Sequence, residues 1–248
     1  MIREYQVSGF RVREYEELGS TNTEAERLGW DELDDKMVIL TYRQTQGRGQ
    51  VGNHWESEPG KNISMTVVFK PRELLAGQQF AVSMVIALGA CDFISRYVDG
   101  GTVKWPNDIY VGDRKISGIL IEHSIVGRYV GGSLCGIGVN INQEHFLSDA
   151  PNPVSLFQLI GKKIPVGQTL EELLSCIGKR YEMIQDYKGL ERDFLRVLYR
   201  RKGVYCWEDG QGIFKAAIQG VNEFGQLILK DEEGRERVYG FKEISYKF

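Results

Sequence analysis

Apolar residues in this chain recur at two spacings, and the spacings divide it into elements. Over residues 78–98 they fall at Phe80, Val82, Val85, Ile86, Leu88, Ala90, Phe93 and Ile94, which predicts the main core helix. Residues 37–42 and 62–69 are short apolar runs, and each predicts a buried strand, the second closed by Pro71. Residues 102–111 and 116–124 read as two strands joined by the turn residues Gly112, Asp113 and Arg114. Residues 128–141 read as a further strand, whose many glycines imply close approach of another group to the backbone. A helix starts after Leu18, with Thr21 and Glu24 at capping-box spacing and Gly29 as its stop. Residues 170–198 hold one or two more helices. Residues 47–60 are polar and glycine-rich, hence a long loop, and Pro151, Asn152 and Pro153 break the chain. From Gly203 onward short strands alternate with glycine turns.

Strands joined by turns near residues 112 and 125–127 run antiparallel, which disfavours a purely parallel, doubly wound sheet. The expected fold class is α+β: a mixed, largely antiparallel sheet with helices over residues 1–200, and a small β-barrel over residues 201–248. The 248 residues, 42% of them hydrophobic, suffice for a sizeable core. A net charge of −3 gives no basic field for duplex DNA. No apolar stretch is expected to reach the length of about 18 residues that spans a bilayer, and the N-terminus lacks the apolar run of a signal peptide. Cys91, Cys135, Cys176 and Cys206 are widely spaced and form no CxxC pair, which argues against a disulfide framework or structural zinc. A cytoplasmic location is expected.

Four segments carry more polar chemistry than a core element needs. The densest is Lys104-Trp105-Pro106-Asn107-Asp108 followed by Lys115 and Gly118. The residue before a proline stays extended, and Lys115 begins the next strand. Two ammonium groups therefore approach each other and invite an anion between them. Asp108 adds a base or metal ligand and Asn107 an amide; a solvated, idle hairpin tip explains the same residues equally well. In residues 44–55, Gly47, Gly49 and Gly52 let backbone N–H groups turn toward an anion, and Arg48 can fork onto a phosphate or carboxylate. A flexible surface loop is the plainer account, and the spacing is neither that of a Walker A loop nor of a dinucleotide fingerprint. Asn140, ending the glycine-spaced strand, either reaches a ligand or caps the strand. Ser20, Thr21 and Asn22 at a helix N-terminus either hold a polar ligand or cap the helix. His54, His123 and His145 show no metal-ligand spacing, no G-x-S-x-G elbow is present, and Cys135 reads as buried rather than nucleophilic.

These segments occur in one order: STN, QTQGRGQVGNHW, KWPND with RKISGILIE, then GIGVNIN. In that order they resemble biotin–protein ligases over residues 18–142, and the small C-terminal β domain also fits. The resemblance implies a catalytic domain like that of class II aminoacyl-tRNA synthetases and an SH3-like C-terminal barrel. It implies ATP, biotin and Mg²⁺, and a two-step reaction through biotinyl-5′-adenylate. By the same resemblance Ser20, Thr21 and Gln44, with Asn22 and backbone near Gly47, hold the ureido ring of biotin. Arg48 and the loop around Gly49 cover the phosphate. Lys115 bridges the biotin carboxylate and the α-phosphate, while Lys104 and Asn107 lie near the phosphates or metal. Asp108 orients or deprotonates the incoming lysine, whose free pKa is about 10.4. Trp55 and Asn140 help bind the nucleotide, and Gly118 and Gly138 permit close approach. The implied partner is the biotin carrier domain of a carboxylase, with a homodimer among the family's habits and neither DNA nor membrane expected.

The chain departs from the family pattern twice. The family loop is often GRGRxGR, whereas Gln50 and Asn53 stand here for the second and third arginines. Less positive charge then covers the adenylate, and weaker retention is expected. Nineteen residues precede Ser20, too few for the DNA-binding domain of some relatives, so a ligase without repressor function is expected. A lipoate or octanoate ligase shares the fold but does not usually carry KWPND with RKISGIL. A module that binds biotin or nucleotide without turnover is the other alternative.

Overall fold

The computed structural model describes residues 2–50, 52–148 and 152–247. Pro151 of the expected chain break lies outside them. In chain order the elements begin with β1 (Ile2–Val7), β2 (Phe10–Tyr15), α1 (Thr21–Leu28), β3 (Met37–Thr41), β4 (Gly47–Arg48), β5 (His54–Trp55), β6 (Ile63–Phe69) and α2 (Phe80–Ile94). Next come β7 (Gly101–Lys104), β8 (Asp108–Val111), β9 (Arg114–Val126), β10 (Tyr129–Val139), α3 (Leu156–Ile160), α4 (Val166–Tyr181) and α5 (Tyr187–Arg196). The chain then forms β11 (Tyr205–Asp209), β12 (Gly212–Val221), β13 (Leu227–Asp231), β14 (Glu236–Tyr239) and β15 (Ile244–Tyr246).

The fold is α+β. An eight-stranded sheet runs β1-β2-β3-β6-β10-β9-β8-β7, antiparallel except for the parallel β2–β3 pair. A five-stranded antiparallel sheet, β14-β13-β12-β11-β15, follows. Strand alternation places successive side chains on opposite faces. In β3, Val38 and Leu40 join the main core with α2 and α4, whereas Met37 and Ile39 join a smaller cluster with Ala25 of α1. The large sheet is thus covered on both faces there, which is why β3 and β6 are buried along their whole lengths. Gly89 brings α2 close to α4, since a Cβ there would sit 2.8 Å from Ile177.

Several elements differ from the pattern-based expectation. β1 and β2 lie ahead of the first expected element. β1 carries mostly exposed polar side chains, so it has no apolar signature, and Ser8 and Gly9 turn the chain at positive φ. The expected strand over residues 102–111 is two strands, because the chain reverses at Trp105–Asn107 and pairs Lys104 with Asp108. Pro106 has no N–H to give a ladder. The cap of α1 is Ser20, whose hydroxyl accepts from the Thr23 N–H, and Glu24 instead pairs with Arg27. The long loop over 47–60 contains the β4–β5 hairpin. Residues 170–198 split into α4 and α5, the latter started by Asp186 accepting from the Gly189 N–H. The apolar helical segment Ala76–Ile94 is long enough to cross a membrane, contrary to the expectation, but it is largely buried within the protein as the core helix. All four cysteines are free thiols.

Candidate active site

The registers of β6, β10 and β9 define the floor of a cleft on the α1 face of the large sheet. One cross-strand row is Ser64, Gly138 and Gly118; the next is Thr66, Gly136 and Leu120. The three glycines leave a trough where side chains would stand. A Cβ on Gly138 would lie 2.2 Å from the Trp55 indole, and one on Gly136 would lie 2.2 Å from Asn22 Oδ1. The cleft encloses a cavity of about 120 Å³ that opens to solvent.

One end of the cleft is neutral and polar. Residues 43–46 run beside residues 18–19, with Leu18 donating to Arg43 and Gln46 to Gly19. This brings Gln44 to the start of α1, where its Oε1 accepts from the Thr21 N–H at 3.0 Å. Thr21 and Asn22 are buried there. The other end is charged: Lys115 Nζ lies 2.6 Å from Asp108 Oδ1 and 5.9 Å from the Trp55 ring centre. Asn107 fastens this end by accepting from the Ile119 N–H and donating through Nδ2 to the Ile119 carbonyl. Trp55 lies between the two ends, its Nε1 buried without an acceptor among the described residues.

Most of the residues singled out by sequence meet here. Ser20, Thr21, Asn22, Gln44, Arg48, Gly49, Trp55, Asn107, Asp108, Lys115, Gly118 and Gly138 all line the cleft. Gly47, Lys104 and Asn140 do not. Gly47 serves its own loop, since a Cβ there would meet the Trp55 carbonyl and the Gln44 amide. Asn140 is buried behind the site, donating to the Val154 carbonyl at 3.1 Å. Val154 in turn donates to the Lys115 carbonyl, so Asn140 secures the backbone from which Lys115 projects. Lys104 shares the face of Asp108 across the β7–β8 turn, but its ammonium donates to the Tyr110 hydroxyl at 3.0 Å and stands 5.0 Å from the Tyr246 ring centre. Burial lowers the Lys104 pKa; Asp108 pulls it back up, and Lys115 and Arg200 push it down again.

Arg48 is already paired. It donates to Glu26 at 2.7 Å and to Glu122 at 2.9 Å, turned toward α1 and β9. The bond to Glu26 raises its pKa, with burial opposing. Such half-exposed pairs are weak and can yield to a better anion. Gln50 and Asn53 also line the cleft, at the tip of the β4–β5 hairpin. Sequence reasoning missed Glu122 and Thr66 as supports of the site. Glu122 closes the GILIE motif, whose pattern alone gives it no role; Thr66 sits in an apolar strand that offers no signal.

Residues 16–140 match the Biotin/lipoate A/B protein ligase family, and the chain belongs to it. Among its relatives is the bifunctional ligase/repressor BirA of Bacillus subtilis, 26% identical over 245 residues that cover 94% of this chain and 74% of the relative. The biotin–[acetyl-CoA-carboxylase] ligase of Paracoccus denitrificans is 28% identical over 229 residues, covering 88% of this chain and 93% of the relative. The fold matches that of biotin protein ligase from Aquifex aeolicus in complex with biotin and ATP, with a TM-score of 0.77 and 23% identity, over 95% of this chain and 98% of that one.

Proposed function

We propose that this protein is a biotin–protein ligase. It joins biotin to a lysine of a biotin carrier domain by way of biotinyl-5′-adenylate, converting ATP to AMP and pyrophosphate. The observation that carries this reading is the polarity of the cleft. A trough floored by glycine has neutral hydrogen-bonding groups at one end and Lys115 at the other. Biotin has the same profile, a neutral ureido head and a carboxylate tail.

In the first step a biotin carboxylate oxygen bonds to the α-phosphorus of ATP, and the bond to the pyrophosphate oxygen breaks. Two anions must approach, and Lys115 offsets their repulsion as the new bond forms. To do so it exchanges its contact with Asp108 for the ligand oxygens. Arg48 leaves Glu26 and folds over the phosphate with the β4–β5 hairpin, which shields the mixed anhydride from water. In the second step the acceptor amine bonds to the acyl carbon, AMP leaves, and the amine gives up a proton. Asp108, released from Lys115, orients that amine and takes the proton. Mg²⁺ fits this site as a companion of ATP, because it is held mainly by phosphates and water with one or two carboxylates, and Asp108 is the carboxylate lining the cleft. Among the described residues no cluster of three His, Cys, Asp or Glu side chains forms a dedicated site. When bound, the ion neutralises phosphate charge.

Pyrophosphate release from ATP and Mg²⁺, measured with biotin, lipoate or octanoate, tests the reading. Release with biotin alone is expected. Equal or faster release with lipoate or octanoate, or none with biotin, contradicts it.

A further inference from the structure

A chain of buried and part-buried hydrogen bonds beneath the neutral end of the cleft has only one self-consistent set of proton positions. Asn22 Nδ2 lies 2.8 Å from Glu122 Oε2 and 3.4 Å from the Leu120 carbonyl. Both partners accept, so the amide nitrogen faces them and Oδ1 faces β6. There it lies 2.6 Å from Thr66 Oγ1. An amide oxygen has no proton, so the Thr66 hydroxyl donates to it. That hydroxyl has a single proton, yet it also lies 2.9 Å from Thr21 Oγ1. The Thr21 hydroxyl must therefore donate to Thr66. Thr66 is fully buried and Thr21 and Asn22 are each 3% exposed, so water does not compete for these positions.

Thr21 is left as an acceptor toward the cleft. Beside it, Gln44 spends its Oε1 on the Thr21 N–H and keeps its amide nitrogen as a donor. We propose that Glu122 and Thr66 are positioning residues that fix the direction of the Thr21 proton, so that the cleft selects a head group bearing an N–H. This rests on the reading above and adds a reason for its selectivity. A cyclic urea presents an N–H and a carbonyl to this acceptor–donor pair. A dithiolane ring or a plain alkyl chain presents neither, and leaves both protein groups unpaired. Gly136 belongs to the same device, because any side chain there would displace Asn22. Glu122 also holds Arg48, so the loop and the proton chain share one carboxylate.

The test pairs a protein change with a ligand change. The ligands are biotin and two cyclic carbamates, in each of which one ureido N–H is replaced by a ring oxygen. The proteins are the wild type, Thr66→Val and Thr66→Ser, each checked by thermal melting. In the wild type one carbamate binds about 30-fold more weakly than biotin, the scale of a buried group left unpaired. In Thr66→Val the Thr21 hydroxyl is free to rotate and donate to the ring oxygen. The gap then closes to a few-fold, while the KM for biotin in adenylation rises about tenfold with kcat little changed. Thr66→Ser restores the wild-type gap. Should Thr66→Val fail to fold, Glu122→Gln at a partly exposed position repeats the test, since its amide no longer dictates the orientation of Asn22. An undiminished gap in a folded variant overturns the proton chain. Failure of the wild type to adenylate biotin at all overturns the functional reading instead, so the two failures are distinct.

Discussion

The two lysines of the charged hairpin share a sequence motif and a sheet face but live in different surroundings. Lys115 projects into an open trough beside Asp108 and over Gly118. Lys104 stands behind the same aspartate among the rings of Tyr110 and Tyr246, where burial depresses its pKa. Its neighbour Trp105 is 3% exposed and donates to the Gly225 carbonyl at 2.9 Å, bolting this end of the hairpin to the turn between β12 and β13. The contrast separates two jobs within one motif. A cation that must meet an anion is left accessible and paired with a carboxylate that can be exchanged. A cation that supports the site is desolvated and caged.

The comparison can be sharpened at the cleft first, where effects are largest. Gly138→Val should weaken biotin binding by about 100-fold or more, the upper range of overpacking, because its side chain collides with Trp55. Calorimetric titration checks this; near-normal affinity would mean that the trough is not the binding floor. Asp108→Asn should slow transfer to the carrier lysine by about 100-fold, the lower range for general base catalysis. Adenylation should fall less, since the Asn oxygen still accepts from Lys115 and remains a neutral oxygen for Mg²⁺. Single-turnover assays of each half-reaction read the split, and equal losses in both would erase the distinction between the steps.

Lys104→Met should slow adenylation by about tenfold, less than any change at Lys115, because it removes a supporting charge outside the trough. It also carries a pH signature. The folded pKa of Lys104 lies below its ordinary value of 10.5, so the charged form costs stability at neutral pH. That cost fades as pH rises from the lowered value toward 10.5, because the unfolded chain binds the extra proton over that window. The gain in melting temperature of Lys104→Met over wild type should therefore shrink across alkaline pH; a gain that grows would reverse the assignment. The smallest effect is expected at the loop tip, where Gln50→Arg should slow escape of biotinyl-adenylate a few-fold. Equal escape rates in a filter-binding chase would show that the missing arginine does not limit retention.

Much of the cleft was legible because its parts are local. Glycines alternating along β10, a lysine and an aspartate flanking a tight turn, and a polar triplet before a helix each leave a short-range signature. What escaped was set by partners far along the chain. The Glu26 and Glu122 that hold Arg48 leave no mark beside it in the sequence. Asn140 reads either as a ligand contact or as a strand cap, and the choice waits on residues 152–154, which fold against it and take its amide. Thr66 gives no polar signal within an apolar strand, although its hydroxyl organises Thr21 and Asn22. The division of Lys104 from Lys115 depends on rings from Tyr110 and Tyr246, the second of which arrives at the far end of the chain.

The central claim is that Lys115 brings two anions together over a glycine floor. Biotin-dependent ATP–pyrophosphate exchange, compared between wild type and Lys115→Ala, tests it most directly. The account predicts robust exchange in the wild type and a loss of at least about 100-fold in a variant that still folds. Exchange within a few-fold of wild type in Lys115→Ala would contradict it.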